Sequence, residues 1–427
     1  MSTSPVRIAV VGAGDRGSAY AAWAADHPDR ARVVAVAEPN AVRRERLADA
    51  HEVPAGQRYD DWRALLEGPR VADLVVVATR DREHRDPAVA LAGAGYHLLL
   101  EKPMAPTEAE CREITAAAHA AGVLVAVCHV LLYTPYTQVV RDVVRSGRIG
   151  RVMSVQHLEP VGWWHQAHSF VRGHWAREDD GAFMLLAKSC HDVDWLQHVV
   201  GEPAVAVSSF GSLQHFTAKD RPDRASDRCV TCDLQDTCPY SATRLYRGLL
   251  ARGETGWPVS TVVDEVTPAA LEEALATGPW GRCVYDCDND VVDHQVVALE
   301  YASGATASFT MTAFAEAGHR ETRIFGTHGE VRCDGGTVEV VEFGGLPGES
   351  RRERIDVGSL GDATAGGGHG GGDGGLMDAV VHAVATGDRS GVWSGIDVSL
   401  ETHRTVFAAE RARRLGTVER LDRLGVL

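Results

Sequence analysis

Residues 185–196, LLAKSCHDVDWL, space their leucines, valine and tryptophan for a helix yet carry Lys188, His191, Asp192 and Asp194 in the middle. At 3.6 residues per turn, Lys188, His191, Asp192 and Trp195 lie three or four apart and share one face. That face is either a solvated stripe with a Lys188/Asp192 ion pair or a set of groups turned toward a substrate. In the second case His191, with an unperturbed pKa of about 6.5, suits proton uptake near neutrality. A second cation, Lys102, ends the run LLLEKP at 98–103. There an ammonium could stabilise a developing alkoxide, or act as the base if burial lowered its pKa. Lys102 and His191 would together suit a secondary hydroxyl that loses its proton while hydride leaves the same carbon. Lys188 is a candidate substrate contact, although no spacing forces it inward.

Such chemistry needs a hydride acceptor, and the first 130 residues read as its binding site. The β-branched run VRIAVV (6–11) stops at Gly12-Ala13-Gly14-Asp15-Arg16-Gly17 and is followed by the helical SAYAAWAADH. In that pattern Gly12 permits a tight turn, Gly14 lets the backbone approach a pyrophosphate, and Gly17 lets helix pack on strand. The helix start, with Asp15 and Arg16, offers unpaired N–H groups to phosphate. A second strand, ARVVAVAEPN, carries Glu38 at its end, where a carboxylate can accept ribose hydroxyls and repel a 2′-phosphate. NAD is therefore expected; Arg43 and Arg44 leave NADP open as the alternative cofactor.

Three further runs, ADLVVVAT (72–79), GYHLLLEKP (95–103) and GVLVAVCH (122–129), are apolar on both faces. They belong in a doubly wound parallel sheet covered by helices on each side. Ligands bind off the carboxyl ends of such strands. Thr79, Arg80 and His84 lie past one end, Glu101 and Lys102 past another, and all five are expected at the cofactor.

Bulk properties exclude other classes. A chain of 427 residues with net charge -16 suggests two domains and disfavours nucleic acid and anionic membrane. No apolar run approaches the ~20 residues of a membrane span. MSTSPVRIAV also lacks the layout of a secretion signal, so the cytoplasm is expected.

Residues 159–175, EPVGWWHQAHSFVRGHW, concentrate groups that suit a sugar. Aromatic faces pack on ring C–H faces, and polar groups meet hydroxyls. His165, His168, Ser169, Arg172 and Trp175 are candidate substrate contacts, with Tyr133 and, in the glycine-rich GGGHGGGDGG at 366–375, His369. That glycine stretch reads as a loop over the site, Asp373 serving as a possible cap for a helix from about Leu376. CVTCDLQDTCP at 229–239 spaces Cys229, Cys232 and Cys238 for one metal, with Cys283 or Cys287 as fourth ligand. Four-cysteine structural zinc is the leading reading, and an iron–sulfur cluster the alternative, since Cys238 precedes proline. Cys111, Cys128, Cys190 and Cys333 read as core.

VGAGDRG, VVVATRDREH and LLLEKPMAPTEAE together resemble the Gfo/Idh/MocA oxidoreductases, over what reads as the whole chain. The resemblance implies an NAD-binding Rossmann domain at 1–130. An α+β domain with an open, mostly antiparallel sheet and self-association through that sheet would follow at 131–427; the three close cysteines mark an insertion at about 211–260 within it. The resemblance places Lys102 in the family's Glu-Lys-Pro motif, His191 as the histidine that handles the substrate proton, and Asp194 as the aspartate three residues on. Many members carry Asp-x-x-x-His, and here the aspartate position is Ala187. The implied activity is NAD-dependent oxidation of a secondary hydroxyl on a sugar, glycoside or cyclitol. Two alternatives stand beside it: a redox-neutral NAD-dependent glycosidase, and a non-catalytic NAD- or metabolite-binding protein.

Overall fold

A computed structural model describes residues 4–316, 318–358 and 370–422. The apolar runs near the N-terminus become strands β1 (Val6–Val11), β2 (Ala31–Ala37), β3 (Arg58–Tyr59), β4 (Leu74–Val77), β5 (His97–Leu100) and β6 (Val125–Val127). They are all parallel and lie in the order β3-β2-β1-β4-β5-β6. Helices α1 (Asp15–Asp26), α2 (Ala41–Ala50), α3 (Arg85–Gly93) and α4 (Glu108–Ala121) make crossovers between them. Every residue of β4 is buried, as its unbroken Leu-Val-Val-Val requires. The strand order reverses between β1 and β4, which opens a crevice at their carboxyl ends.

After α5 (Pro135–Arg145), the chain enters a second sheet. Its strands are β7 (Val152–Pro160), β8 (Ala204–Ser212), β9 (His294–Tyr301), β10 (Thr306–Thr312), β11 (Glu321–Gly326), β12 (Gly329–Cys333), β13 (Thr337–Glu342), β14 (Arg351–Asp356) and β15 (Val418–Arg420). The order is β14-β13-β12-β11-β7-β10-β9-β8-β15, with β7 and β10 parallel and the other neighbours antiparallel. β9 alternates buried and exposed residues along its length, so one face of the sheet is packed and the other open. RIFGTHGEVR forms a hairpin, with Ile324 opposite Val331. CVYDCDNDVV is not strand; β9 starts only at His294.

Between β7 and β8 run α6 (Trp163–His165), a π-helical turn at Gln166–Val171, α7 (Met184–Ala187) and α8 (Cys190–Val200). The expected single helix over 185–196 is therefore two, broken at Lys188 and Ser189. Between β8 and β9 the chain makes an excursion from 213 to 293, longer than the expected insertion, with α9 (Ala242–Ala251), α10 (Val259–Val262) and α11 (Pro268–Thr277). It has its own small core around Tyr246, Leu249, Leu271 and Trp280.

The last helices, α12 (Gly372–Thr386) and α13 (Ile396–Leu415), join the halves. α12 packs on α1, and α13 touches α4, α8 and β8. The glycines of 372–375 lie inside α12 rather than in a loop ahead of it. A Cβ at Gly372 would stand 2.4 Å from the Val130 carbonyl oxygen, and one at Gly375 2.7 Å from that of Tyr133, so their bareness lets the helix press directly onto backbone. His369 lies outside the described residues.

Candidate active site

At the turn after β1, Gly12 has φ +94°, and a Cβ there would meet the Ala78 carbonyl oxygen at 2.4 Å. Gly17 lies against the Gly12 carbonyl, whereas a Cβ on Gly14 would meet nothing within 4 Å. The first and third glycines are thus needed by the fold itself, and the space beside the second is open. Beside it, the Glu38 carboxylate accepts from the N–H of Ala13 at 2.8 Å and of Asn40 at 2.9 Å, which aims it at the loop. Thr79 Oγ1 is buried with no partner among the described residues at the end of β4. A bare glycine, a fixed carboxylate and an orphaned hydroxyl along one crevice fit a dinucleotide.

Other residues expected at the cofactor are already engaged. Arg16 Nε donates to Glu101 Oε1 at 2.6 Å, and its Nη2 donates to Asp373 Oδ1 at 2.5 Å and to Tyr20. Burial opposes the Arg16 charge, but Glu101, Tyr20 and Asp373 outweigh it and raise the pKa. Glu101 is held below the usual carboxylate range because Arg16 and Lys102 overcome its burial. The His84 ring nitrogens lie 2.8 Å and 3.1 Å from the carbonyl oxygens of Pro103 and Thr79, so this residue ties two crevice loops together. Arg80 is exposed. Asp15 accepts from Ser260 and Thr261, both at 3.3 Å. Arg43 pairs with Asp264 at 2.8 Å and Arg44 Nη1 donates to the Glu38 carbonyl at 2.7 Å, so both arginines that kept NADP open have partners.

Lys102 reaches across the crevice. Its Nζ donates to the Ala187 carbonyl at 2.5 Å. That carbonyl closes α7, where the helix break leaves it without a continuing turn. His191 follows four residues later on the first turn of α8, 5% exposed, with its ring 5.7 Å from that of His129. After burial, the Lys102 ammonium further disfavours a positive charge at His129, His165, Lys188 and His403 and favours a negative one at Asp81. Asp194 lies deeper on α8, where it accepts from Thr402 at 2.7 Å; burial pushes its carboxyl up to about 7.

The second sheet supplies the opposite wall, from residues that sequence reasoning did not single out. His157 and Glu159 alternate onto the packed face of β7, and Arg320 leads into β11. Lys188 Nζ lies 3.0 Å from Glu159, Arg320 pairs with Glu159 at 2.5 Å and Asp192 at 2.9 Å, and His157 meets Asp192 at 3.1 Å. Burial lowers the Lys188 pKa more than Glu159 restores it. Asp192 is held below the carboxylate range because Arg320 and His157 outweigh its burial. The period-2 spacing of His157 and Glu159 on a strand was the available signal; their partners at 188, 192 and 320 were not inferable from spacing.

The segment 159–175 divides. His165 is partly exposed, rests edge-on to Trp257 at 4.9 Å, and is held well below its ordinary pKa by burial, then by Lys188, His168 and Lys102. It remains beside the cluster, as does Trp175, whose indole donates to Asp81 at 3.0 Å. His168 instead turns into the excursion, with Nδ1 2.6 Å from the Tyr246 hydroxyl. Ser169 is buried at 2%. Arg172 points to the cysteines, 3.5 Å from Cys229 Sγ. Tyr133 accepts from the N–H of Trp393 and Ser394 and stacks on the Trp393 ring at 5.4 Å, so its hydroxyl serves a loop.

Cys229, Cys232, Cys238 and Cys283 do gather, around one cavity of about 120 Å³. Yet among the described residues no three His, Cys, Asp or Glu side chains form a group able to hold a metal ion. The zinc reading is not borne out: one ion needs every sulfur about 2.3 Å from a single point. Cys111, Cys128, Cys190 and Cys333 are buried, as expected of core residues. No described helix is long and apolar enough to cross a membrane.

Comparison with known proteins matches residues 6–129 to the Gfo/Idh/MocA oxidoreductase family, NAD-binding Rossmann fold, and residues 141–359 to the C-terminal alpha/beta domain of the same family. Inositol 2-dehydrogenase 2 of Saccharopolyspora erythraea is 28% identical over 232 residues, 54% of this chain and 64% of that protein. The 2,7-anhydro-N-acetylneuraminate hydratase of Escherichia coli is 26% identical over 211 residues, 49% of this chain and 54% of that protein. The chain thus spans between half and two thirds of the length of these curated relatives. A solved levoglucosan dehydrogenase, in complex with NADH and levoglucosan, superposes with TM-score 0.67 at 17% identity, covering 98% of this chain and 100% of that one.

Proposed function

The chain belongs to the Gfo/Idh/MocA family of oxidoreductases, and from that premise we propose that it moves hydride between a secondary hydroxyl of a sugar, glycoside or cyclitol and NAD. The observation that carries the reading is the reach of Lys102 to the α7–α8 break, one turn from His191. Gly14, Glu38 and Thr79 would hold the dinucleotide, whose bound nicotinamide supplies the hydride acceptor. His191 takes the hydroxyl proton, and the Lys102 ammonium stabilises the oxygen as charge develops on it. Lys188 and His165 position the remaining hydroxyls, and the paired Glu159, Arg320 and Asp192 hold Lys188 in place. We assign residues 1–130 to the cofactor and 131–427 to substrate, with α12 returning to brace the cofactor half through Asp373 and Arg16. The dehydrogenase relatives named above support a polyol substrate.

A panel of free sugars, glycosides and cyclitols, followed by NADH absorbance, tests this. Substrate-dependent NADH is the expected result, and none across the panel with cofactor bound would overturn it. One observation favours a redox-neutral variant: the excursion rests on the nucleotide loops through Ser260, Thr261 and Asp264, which would slow cofactor release. The relative named as a hydratase points the same way. Product formed without net NADH would select that variant.

We also assign self-association to the open face of the second sheet, where Phe210 and Val296 are paired in register and 72% and 42% exposed. Phe210→Asp should then lower the solution mass. A cytoplasmic setting is supported by nine cysteines none of which forms a disulfide.

A further inference from the structure

Arg172 is 5% exposed, and no described carboxylate meets it. Its Nε donates to the Arg282 carbonyl and its Nη2 to the Tyr240 carbonyl, both at 2.7 Å, while Nη1 is buried with no partner among the described residues. Leaving a buried cation without a counter-charge is among the costliest arrangements a fold can hold. The negative charge has one evident source. Arg172 lines the same cavity of about 120 Å³ as Cys229, Cys232, Cys238 and Cys283. Its Nη2 also lies 3.5 Å from Cys229 Sγ, which accepts a second N–H from Ala242, at the start of α9, at 3.4 Å. Two N–H donors thus converge on that one sulfur.

We propose that Cys229, Cys232, Cys238 and Cys283 ligate an iron–sulfur cluster, with Arg172 as its buried counter-cation. A single ion would draw the sulfurs onto one point, and no such close-set group occurs among the described residues. A cluster binds each thiolate at a different iron, so four sulfurs stand around a space rather than at a point. Here all four cysteines line one cavity of about 120 Å³. Three ligands come from one loop, and Cys238 precedes Pro239, as the last cysteine precedes proline in ferredoxin runs. The fourth arrives from across the excursion, beside the bridge between Arg228 and Arg282. Because Asp264 of the same excursion pairs with Arg43, and Ser260 and Thr261 with Asp15, the cluster would stiffen the segment that rests on the nucleotide loops.

The full chain, purified anaerobically and reconstituted with ferrous iron and sulfide, is expected to carry about four irons and four acid-labile sulfides. It should also show a broad visible absorption that bleaches on reduction. Cys232→Ser should lose most of that iron while the circular dichroism of the rest of the chain is kept. Arg172→Met should make the reduction potential more negative, because the reduced cluster loses a neighbouring positive charge, and Arg172→Lys should restore most of the shift. Stoichiometric zinc without sulfide, or a chain that stays metal-free through reconstitution, would overturn the cluster. A potential indifferent to Arg172→Met would overturn the role of the arginine. None of these readouts depends on the dehydrogenase reading.

Discussion

The two walls of the crevice handle charge in opposite ways. On the second-sheet side, Lys188, Glu159, Arg320 and Asp192 close on one another, each cation against a carboxylate. On the nucleotide side, the Lys102 ammonium ends on a peptide carbonyl. Self-paired charges hold a shape, because removing one strands its partner. An ammonium set on a neutral dipole keeps its charge available for an oxygen that becomes negative during reaction. On the proposed reading the contrast separates a wall that supports from one that acts, and it can be broken from either side.

The largest effect is expected at Lys102. Lys102→Met should lower kcat/KM on the order of 10³-fold, while NAD binding persists and stability changes by less than about 1 kcal/mol. His191→Asn should cost a similar factor, and the double variant little more than either alone, since the two act on one hydroxyl. Steady-state kinetics beside urea unfolding reads both, and full additivity would separate the pair. On the other wall the order reverses. Glu159→Gln strands Lys188 and leaves Arg320 only Asp192, and should cost about 3–5 kcal/mol of stability, read as a lowered urea midpoint. A Glu159→Gln chain as stable as the parent would erase the distinction between the walls.

A smaller effect sharpens the boundary between them. Buried Asp194 has its carboxyl pushed up to about 7, so between pH 4 and 7 the folded chain holds a proton that the unfolded chain has released. Stability from this group is therefore greatest below pH 4 and falls as pH rises toward 7. Asp194→Asn should remove that slope and stabilise the chain at pH 8 by up to about 4 kcal/mol. Unfolding midpoints at pH 5 and pH 8 test it, and an unchanged pH dependence would place the slope elsewhere. The smallest effect belongs to the cofactor end. Glu38→Ala should weaken NAD roughly tenfold, about 1.4 kcal/mol, and narrow the preference over NADP. Fluorescence titration with both dinucleotides reads it.

Much of the cofactor half was legible because its signals are local. Gly12 and Gly17 answer to turn and packing constraints within a few residues, and unbroken runs such as Leu-Val-Val-Val can be buried only in a covered sheet. The second half was legible only in outline, as the antiparallel sheet the family resemblance implied. The helix over 185–196 was misread as continuous because nothing in its spacing marks the break at Lys188 and Ser189. Arg172 was assigned to substrate because a polar, aromatic segment looks alike whether it faces a sugar or a cavity of thiols; the π-helical turn at 166–171 sends its residues to different sides. The cysteine spacing announced a shared centre but could not say how far apart the sulfurs stand.

By itself the amino-acid order determined the strands, their covered or open faces and the phosphate-ready turn, since backbone sterics and hydrophobic periodicity act over a few residues. The partners of the charges were decided only by tertiary structure. Arg16 is joined to Asp373 and Lys188 to Glu159 across long stretches of chain, because burying a charge is tolerable only where another element brings the opposite one.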